Sequence, residues 1–178
     1  MYCDAHIAEV LLTEAQIATR VRQLAEQITA DYRDQDLVLM GVLTGSFVFL
    51  ADLIRQLDRP CAVDFFHCSS YGDGTVSRGE VAVLKDVTVP LHGKDVLLVE
   101  DIVDTGRTVT ALARLLQGTQ ARSVRICALL SKPGRRELPV TLDYIGFEVP
   151  DRFIVGYGLD YAGGFRNLPF ICALREDS

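Results

Sequence analysis

The sequence predicts an α/β fold: a central, mostly parallel sheet flanked by helices, with a small extra lobe. Three observations carry this. Apolar runs without polar alternation recur, as at Leu37 to Leu43 and Val96 to Val99, and such runs belong to strands buried on both faces. Turn residues end them, Thr44-Gly45-Ser46 after the first and a Thr-Gly turn at Thr105-Gly106 after the second. Apolar residues at helical spacing then follow, so strand, turn and helix alternate through the middle of the chain.

The elements follow in order. Thr13-Glu14-Ala15-Gln16 has the pattern of a capping box, with Gln16 at the third helical position. Ile17, Val21, Leu24, Ala25 and Ile28 continue it at helical spacing, so a helix is expected from Glu14 to Tyr32, broken by Asp34-Gln35-Asp36. Leu37 to Leu43 is a buried strand, and Phe47, Leu50, Leu53, Ile54 and Leu57 mark the next helix. Ala62 to Cys68 is rich enough in aromatics to be a strand. From Ser69 to Gly79 apolar periodicity disappears and Gly72, Gly74 and Gly79 accumulate; a loop this long inside a domain is functional or unstructured. Val81 to Leu84 returns to strand character. Lys94 to Glu100 is a strand, and Val109, Leu112, Ala113, Leu115 and Leu116 mark the helix after it. Ser123 to Leu130 is another strand, followed by Ser131-Lys132-Pro133-Gly134-Arg135-Arg136. Leu142 to Phe147, Phe153 to Tyr157 and Phe170 to Leu174 are short strands, and those near the C-terminus, with part of the N-terminal segment, are expected to form the extra lobe. No repeat or linker intervenes, so residues 1–178 are expected to form a single domain.

Composition narrows the function. The chain of 178 residues is 49% hydrophobic and 24% charged, ordinary for a globular protein with a substantial core. No apolar run approaches the ~18–20 residues needed to cross a bilayer. Met1-Tyr2-Cys3-Asp4-Ala5-His6 has no basic segment ahead of a hydrophobic one, so no signal peptide is expected. Five cysteines, Cys3, Cys61, Cys68, Cys127 and Cys172, make an odd count without C-x-x-C spacing. Free thiols in a cytoplasmic setting are expected, without disulfides or a zinc site. The net charge of −6 disfavours a nucleic-acid surface but not a phosphorylated small molecule, which local donors would hold. His6, His67 and His92 are scattered without ligand spacing and receive no role.

The stretch from Val96 to Thr108 carries the chemistry. An apolar run leads into Glu100 and Asp101, then Asp104, then the turn Thr105-Gly106-Arg107-Thr108 that opens a helix. Ligands of open α/β sheets bind outside the carboxyl ends of strands, and the N–H groups of a turn opening a helix suit a phosphate. Carboxylates beside an anion site need a reason, which sugar hydroxyls or a divalent cation would supply. It is not a nucleotide P-loop, since no G-x-x-x-x-G-K-[ST] occurs.

Val99-Glu100-Asp101-Ile102-Val103-Asp104-Thr105-Gly106-Arg107-Thr108 resembles the phosphoribosyl-pyrophosphate-binding motif of type I phosphoribosyltransferases, in its acids, its turn and its flanking elements together. The likeness extends over nearly the whole chain and points to the hypoxanthine-guanine branch. Val42-Leu43-Thr44-Gly45-Ser46-Phe47 is similar to the family's pyrophosphate loop, Ser70-Tyr71-Gly72 to the start of its mobile lid, and Ser131-Lys132 to the site of its purine-reading lysine. Phe147 to Tyr161, followed by Phe165-Arg166, is similar to its C-terminal base- and metal-binding signature. The resemblance implies the type I phosphoribosyltransferase fold and a cytoplasmic purine-salvage enzyme. Such an enzyme joins hypoxanthine or guanine to the sugar of phosphoribosyl pyrophosphate, giving IMP or GMP and pyrophosphate with the help of Mg²⁺.

Under that resemblance each residue acquires a role. Breaking the anomeric bond builds positive charge on the sugar and negative charge on the departing oxygens, so carboxylates near the ribose and cations near the pyrophosphate help. Glu100 and Asp101 would hold the ribose hydroxyls, directly or through Mg²⁺, and Asp160 would hold a second Mg²⁺ beside the purine site. Asp104 would be the general base for the purine N–H, with capping of the following helix as its plain alternative. Asp104, Thr105, Gly106, Arg107 and Thr108 would cradle the 5′-phosphate; relatives often have Lys in place of Arg107. Leu43, Thr44, Gly45 and Arg166 would bind pyrophosphate, and the family often places a cis peptide at the Leu43-Thr44 step. Many relatives carry Lys or Arg at position 44, so with Thr here backbone N–H groups must do more. Lys132 would donate to the purine 6-oxygen, excluding adenine. Phe153 would stack on the base, unless it is simply core, and Ile154 would offer its backbone. Ser70 and Tyr71 would begin a lid that closes over the reacting centre.

Other readings stay open from the sequence: a xanthine-preferring phosphoribosyltransferase, or a nucleotide-sensing regulator on the same fold. Neither nucleic acid nor membrane is expected as a partner. Family analogy and apolar residues at Phe47, Phe49 and Leu50 point to a homodimer or homotetramer.

Overall fold

The computed structural model describes residues 7–69, 82–83 and 87–175. The lid expected at Ser70 and Tyr71, and the segment up to Gly79, lie outside the described residues.

Six strands form the main sheet in the order β4-β3-β2-β5-β6-β7. They are β2 (Leu37–Leu43), β3 (Ala62–Ser69), β4 (Ala82–Val83), β5 (Asp95–Val103), β6 (Ser123–Ser131) and β7 (Tyr144–Glu148). Pairing is parallel throughout except between β3 and β4. The helices are α1 (Glu14–Asp31), α2 (Phe47–Gln56) and α3 (Arg107–Gln117). A second sheet, β1-β9-β8, unites β1 (Ile7–Leu12), β9 (Ile171–Leu174) and β8 (Ile154–Val155) in antiparallel pairs. This is the expected extra lobe, built from both ends of the chain. The Leu142 to Phe147 segment does not join it: as β7 it extends the main sheet beside β6.

The alternation of side chains along a strand divides the core in two. Leu37, Leu39, Leu97, Val99, Cys127 and Leu129 pack toward α1 and α2, with Ile17, Val21, Leu24, Ile28, Phe49, Leu50 and Leu53. Their neighbours Val38, Met40, Val96, Leu98, Ile126 and Ala128 face the other way, onto Val109, Leu112 and Leu116 of α3. Each such side chain fully buried contributes about 1.5–3 kcal/mol of transfer free energy. Helix α1 starts at the expected capping box, in which Thr13 Oγ1 accepts from Gln16 N and the Gln16 side chain accepts from Thr13 N at 2.9 Å. Phe49 and Leu50 are core residues rather than association surface, because the helical period turns them to the sheet; Phe47, one step off that stripe, is 42% exposed.

One expected boundary moves. Strand β5 runs past Glu100 to Val103, because its pairing with β6 continues through Ile102↔Leu130 and Val103↔Ser131. Asp101 therefore sits on the same strand as Glu100. The start of that strand is fixed by buried Asp95, whose carboxylate accepts from Ser123 Oγ at 2.6 Å and pairs with Arg122. Among the described residues Cys61 and Cys127 are free thiols, and no helix is long and apolar enough to cross a membrane.

Candidate active site

The site gathers at the carboxyl ends of β5 and β6. Glu100 is buried, and its Oε2 has no hydrogen-bond partner among the described residues. Burial, then the neighbouring carboxylates of Asp101 and Asp104, push its carboxyl well above the usual range. Asp101 is half-buried; its Oδ1 accepts from Ile102 N at 2.8 Å, and burial raises its pKa to about 6, with Arg166 opposing and Asp160 adding to the rise. Two strand acids, Asp104, Asp160 and one arginine thus share a single electrostatic neighbourhood.

The turn after β5 leads directly into α3. Gly106 caps α3 with φ +82°, a left-handed conformation suited to glycine, and it uses no side-chain hydrogen bond. Asp104 is therefore not the helix cap. Its Oδ1 instead accepts from Thr105 N at 2.5 Å. Thr105 Oγ1 accepts from Arg107 N at 3.4 Å, and Thr108 follows in the first turn of α3. The Arg107 guanidinium pairs with Glu137 at 2.6 Å, so its charge leans on that carboxylate.

Across the site, β2 ends in the turn of Leu43, Thr44 and Gly45, with a cis peptide between Leu43 and Thr44. Gly45 lies hard against the Asp101 carboxylate, where no side chain would fit. Arg166 donates to the Gly158 carbonyl at 2.5 Å and pairs with Asp160 at 2.6 Å, while Asp160 also accepts from Gly163 N at 2.9 Å.

The base-reading candidates sit beside the same strand ends. Lys132 is buried at the end of β6, with its N–H on the Val103 carbonyl at 2.9 Å. Its Nζ donates to the Arg152 carbonyl at 2.6 Å and lies 3.8 Å from Asp151 Oδ1. Burial lowers its pKa, and the Asp151 and Asp104 charges oppose that. The next residue along from Arg152 is Phe153, which is 55% exposed and makes an edge contact with Tyr161 at 5.2 Å between ring centres. Phe153 is not core. Ile154 is buried on β8, at the edge of its sheet, so one side of that strand keeps its backbone groups unpaired by a neighbouring strand.

The family profile of the phosphoribosyl transferase domain matches residues 8–162. The chain belongs to the phosphoribosyltransferase family. The hypoxanthine phosphoribosyltransferase of Escherichia coli K12 is 47% identical over 168 residues, spanning 93% of this chain and 94% of the relative. The hypoxanthine-guanine phosphoribosyltransferase of Bacillus subtilis 168 is 44% identical over 169 residues, spanning 95% and 94%. A crystal structure of a Staphylococcus aureus hypoxanthine phosphoribosyltransferase superposes with a TM-score of 0.94 at 42% identity, covering 99% of this chain and 96% of that one. These relatives place the chain in the family's hypoxanthine branch.

Within this phosphoribosyltransferase site the sequence did not single out the segment after Lys132. Arg136, Glu137 and Leu138 all reach the turn after β5. The signal was present in outline: two adjacent arginines next to a candidate substrate lysine, in a chain of net charge −6. Tyr161 was likewise named only as the end of a signature, and its ring proves to brace Phe153.

Proposed function

We infer that the protein transfers the 5-phosphoribosyl group from phosphoribosyl pyrophosphate to hypoxanthine, and to guanine, releasing pyrophosphate and forming IMP or GMP. The observation that carries this is the meeting of β5 and β6: the acids of one strand end beside the buried lysine of the next, with exposed Phe153 close by.

The residues divide the work. Glu100 and Asp101 hold the ribose hydroxyls, and their negative charge faces the sugar as it becomes cationic. The Thr105-Gly106-Arg107-Thr108 turn takes the 5′-phosphate through its N–H groups at the start of α3. Asp104, on that same turn, accepts the purine proton. Lys132 donates to the 6-oxygen, and its ammonium is already oriented by the Arg152 carbonyl. Phe153 stacks on the base, its ring held by Tyr161, and Ile154 presents edge-strand backbone. The turn from Leu43 to Gly45, with Arg166, receives the pyrophosphate.

The carboxylates fit Mg²⁺. A buried glutamate oxygen without a partner, beside two further acids, is an arrangement that a hard cation relieves. Among the described residues no group of three or more His, Cys, Asp or Glu could hold a metal by itself. The ion would be held by one or two carboxylates, Glu100 with Asp101 or Asp160, and completed by substrate oxygens. Bound there, Mg²⁺ would neutralise charge on the leaving pyrophosphate.

We further propose a cytoplasmic homodimer or homotetramer, supported by exposed Phe47 on α2; sedimentation at micromolar concentration tests the assembly. Turnover of five bases, hypoxanthine and guanine among them, with phosphoribosyl pyrophosphate and Mg²⁺ tests the activity. Use of xanthine or adenine in preference would overturn the assignment of the base, and no turnover of any base would overturn the assignment as an enzyme.

A further inference from the structure

Three consecutive residues after the purine-reading lysine grip the phosphate turn from outside. Arg136 Nη1 donates to the main-chain carbonyl of Asp104 at 3.0 Å, while Nη2 donates to the buried Ser131 Oγ at 3.0 Å. Glu137 N and Leu138 N both donate to the Thr105 carbonyl, at 3.0 and 3.1 Å. The Arg107–Glu137 ion pair closes the set, but both side chains are about half exposed, and such pairs contribute little. Arg136 is different. It is half-buried, and its rigid fork spans acceptors on two separate elements, which a lysine could not do in the same plane.

A peptide unit is planar and trans, so its carbonyl and its N–H point in opposite directions. In the Asp104–Thr105 unit the carbonyl is held by Arg136, and the N–H of the same plane is the group that Asp104 Oδ1 accepts from at 2.5 Å. One rigid plane therefore connects the guanidinium to the carboxylate. The next unit repeats the pattern: its carbonyl, from Thr105, is held by Glu137 N and Leu138 N, and its Gly106 N–H is turned the other way.

We propose that Arg136 is a positioning residue for the transfer reaction, fixing the Asp104–Thr105 peptide plane and through it the direction of the Asp104 carboxylate. This rests on Asp104 being the general base. Arg136 touches no reacting atom; it acts by keeping Asp104 from turning away from the purine N–H.

A double-mutant cycle tests it, using Arg136→Gln, Asp104→Asn and the combination, with kcat, KM for hypoxanthine and thermal melting measured for each. Arg136→Gln should lower kcat by roughly tenfold to a hundredfold, the scale of a misdirected catalytic group, with KM for hypoxanthine within about threefold. In the Asp104→Asn background the same change should cost less than about twofold, because the group it directs is already gone. Arg136→Lys, which keeps charge and reaches one acceptor, should recover part of kcat and serves if the glutamine variant does not fold. An equal loss in both backgrounds, or no loss in either, would overturn the positioning role while leaving Asp104 as the base. Wild-type kcat in Asp104→Asn alone would overturn both.

Discussion

The Asp101 carboxylate occupies the space that a side chain at Gly45 would need: a methyl group there would overlap Oδ2 and stand 2.6 Å from Cγ. Asp101 and the turn at Gly45 are thus fitted to each other without clearance. Gly45→Ala must displace one of them. Overpacking of this kind costs about 1–3 kcal/mol, so the variant should fold with a lowered Tm. Its kcat/KM for phosphoribosyl pyrophosphate should fall by roughly a hundredfold, the usual result of ~1 Å displacement. Gly134→Ala, whose added methyl meets nothing within 4 Å, is the control and should change neither quantity. Equal behaviour of the two variants would show that the Gly45 contact is not used.

Asp104 stands on the turn between β5 and α3, accepting from Thr105 N rather than capping α3. Asp104→Asn keeps the shape and removes the proposed base. We expect kcat to drop by roughly 10²–10⁴-fold with smaller effects on substrate binding. Steady-state kinetics with hypoxanthine decide it, and a variant within threefold of wild type removes Asp104 from the mechanism.

Lys132 Nζ is buried and aimed at the Arg152 carbonyl, next to the exposed Phe153 ring. Lys132→Gln retains length and a donor but loses the charge. Hypoxanthine use should weaken, and the exclusion of adenine should relax, since no ammonium then opposes a 6-amino group. The ratio of kcat/KM for the two bases is the measurement. If it does not move, selection belongs to the backbone at Ile154.

Turnover should stop in excess EDTA and return with Mg²⁺ or Mn²⁺, as the pyrophosphate leaving group requires. Asp160→Ala also frees Arg166 from its ion pair, so the variant should need more Mg²⁺ for half-maximal rate without losing its fold. A metal titration that superposes on wild type would make Asp160 a purely structural partner of Arg166 and Gly163.

The raised Asp101 pKa has a definite sign. Burial lifts it from 3.8 to about 6, so the folded state holds this proton more tightly than the unfolded chain. The resulting stabilisation of the metal-free protein is complete below pH about 4 and is lost as pH rises through about 6. In Asp101→Asn this part of the decline should vanish. Melting in EDTA between pH 4 and pH 7, compared for the two proteins, checks it; parallel curves would mean that Asp101 titrates like a solvated acid.

Much of this site was legible in the sequence because its parts are contiguous. The Glu100 to Thr108 run shows its acids and its turn within one strand–helix junction, and the capping box at Thr13 fixes α1 by residue type alone. What escaped depended on pairing between distant segments. The extension of β5 to Val103 is decided by its partner β6, and the membership of β7 in the main sheet by where β6 leaves an open edge. Phe49 and Leu50 looked like association surface because composition does not say which way a helix is turned. Arg136 escaped because its two acceptors, Asp104 and Ser131, lie 32 and 5 residues away, and a carbonyl leaves no mark in a sequence.

The alignment of Val103 with Ser131, and the bond from Lys132 N–H to the Val103 carbonyl, make the main sheet a ruler. Neighbouring strands stand ~4.8 Å apart, and β5 and β6 end in step, so the sheet rather than a loop sets how Asp104 and Lys132 stand to each other. Slipping that register by one residue would turn the slipped strand's side chains to the wrong face. Exchanges at Lys132 or Phe153 leave the spacing untouched. The purine choice proposed for Lys132 and Phe153 can therefore change by single substitutions without moving the acids of β5.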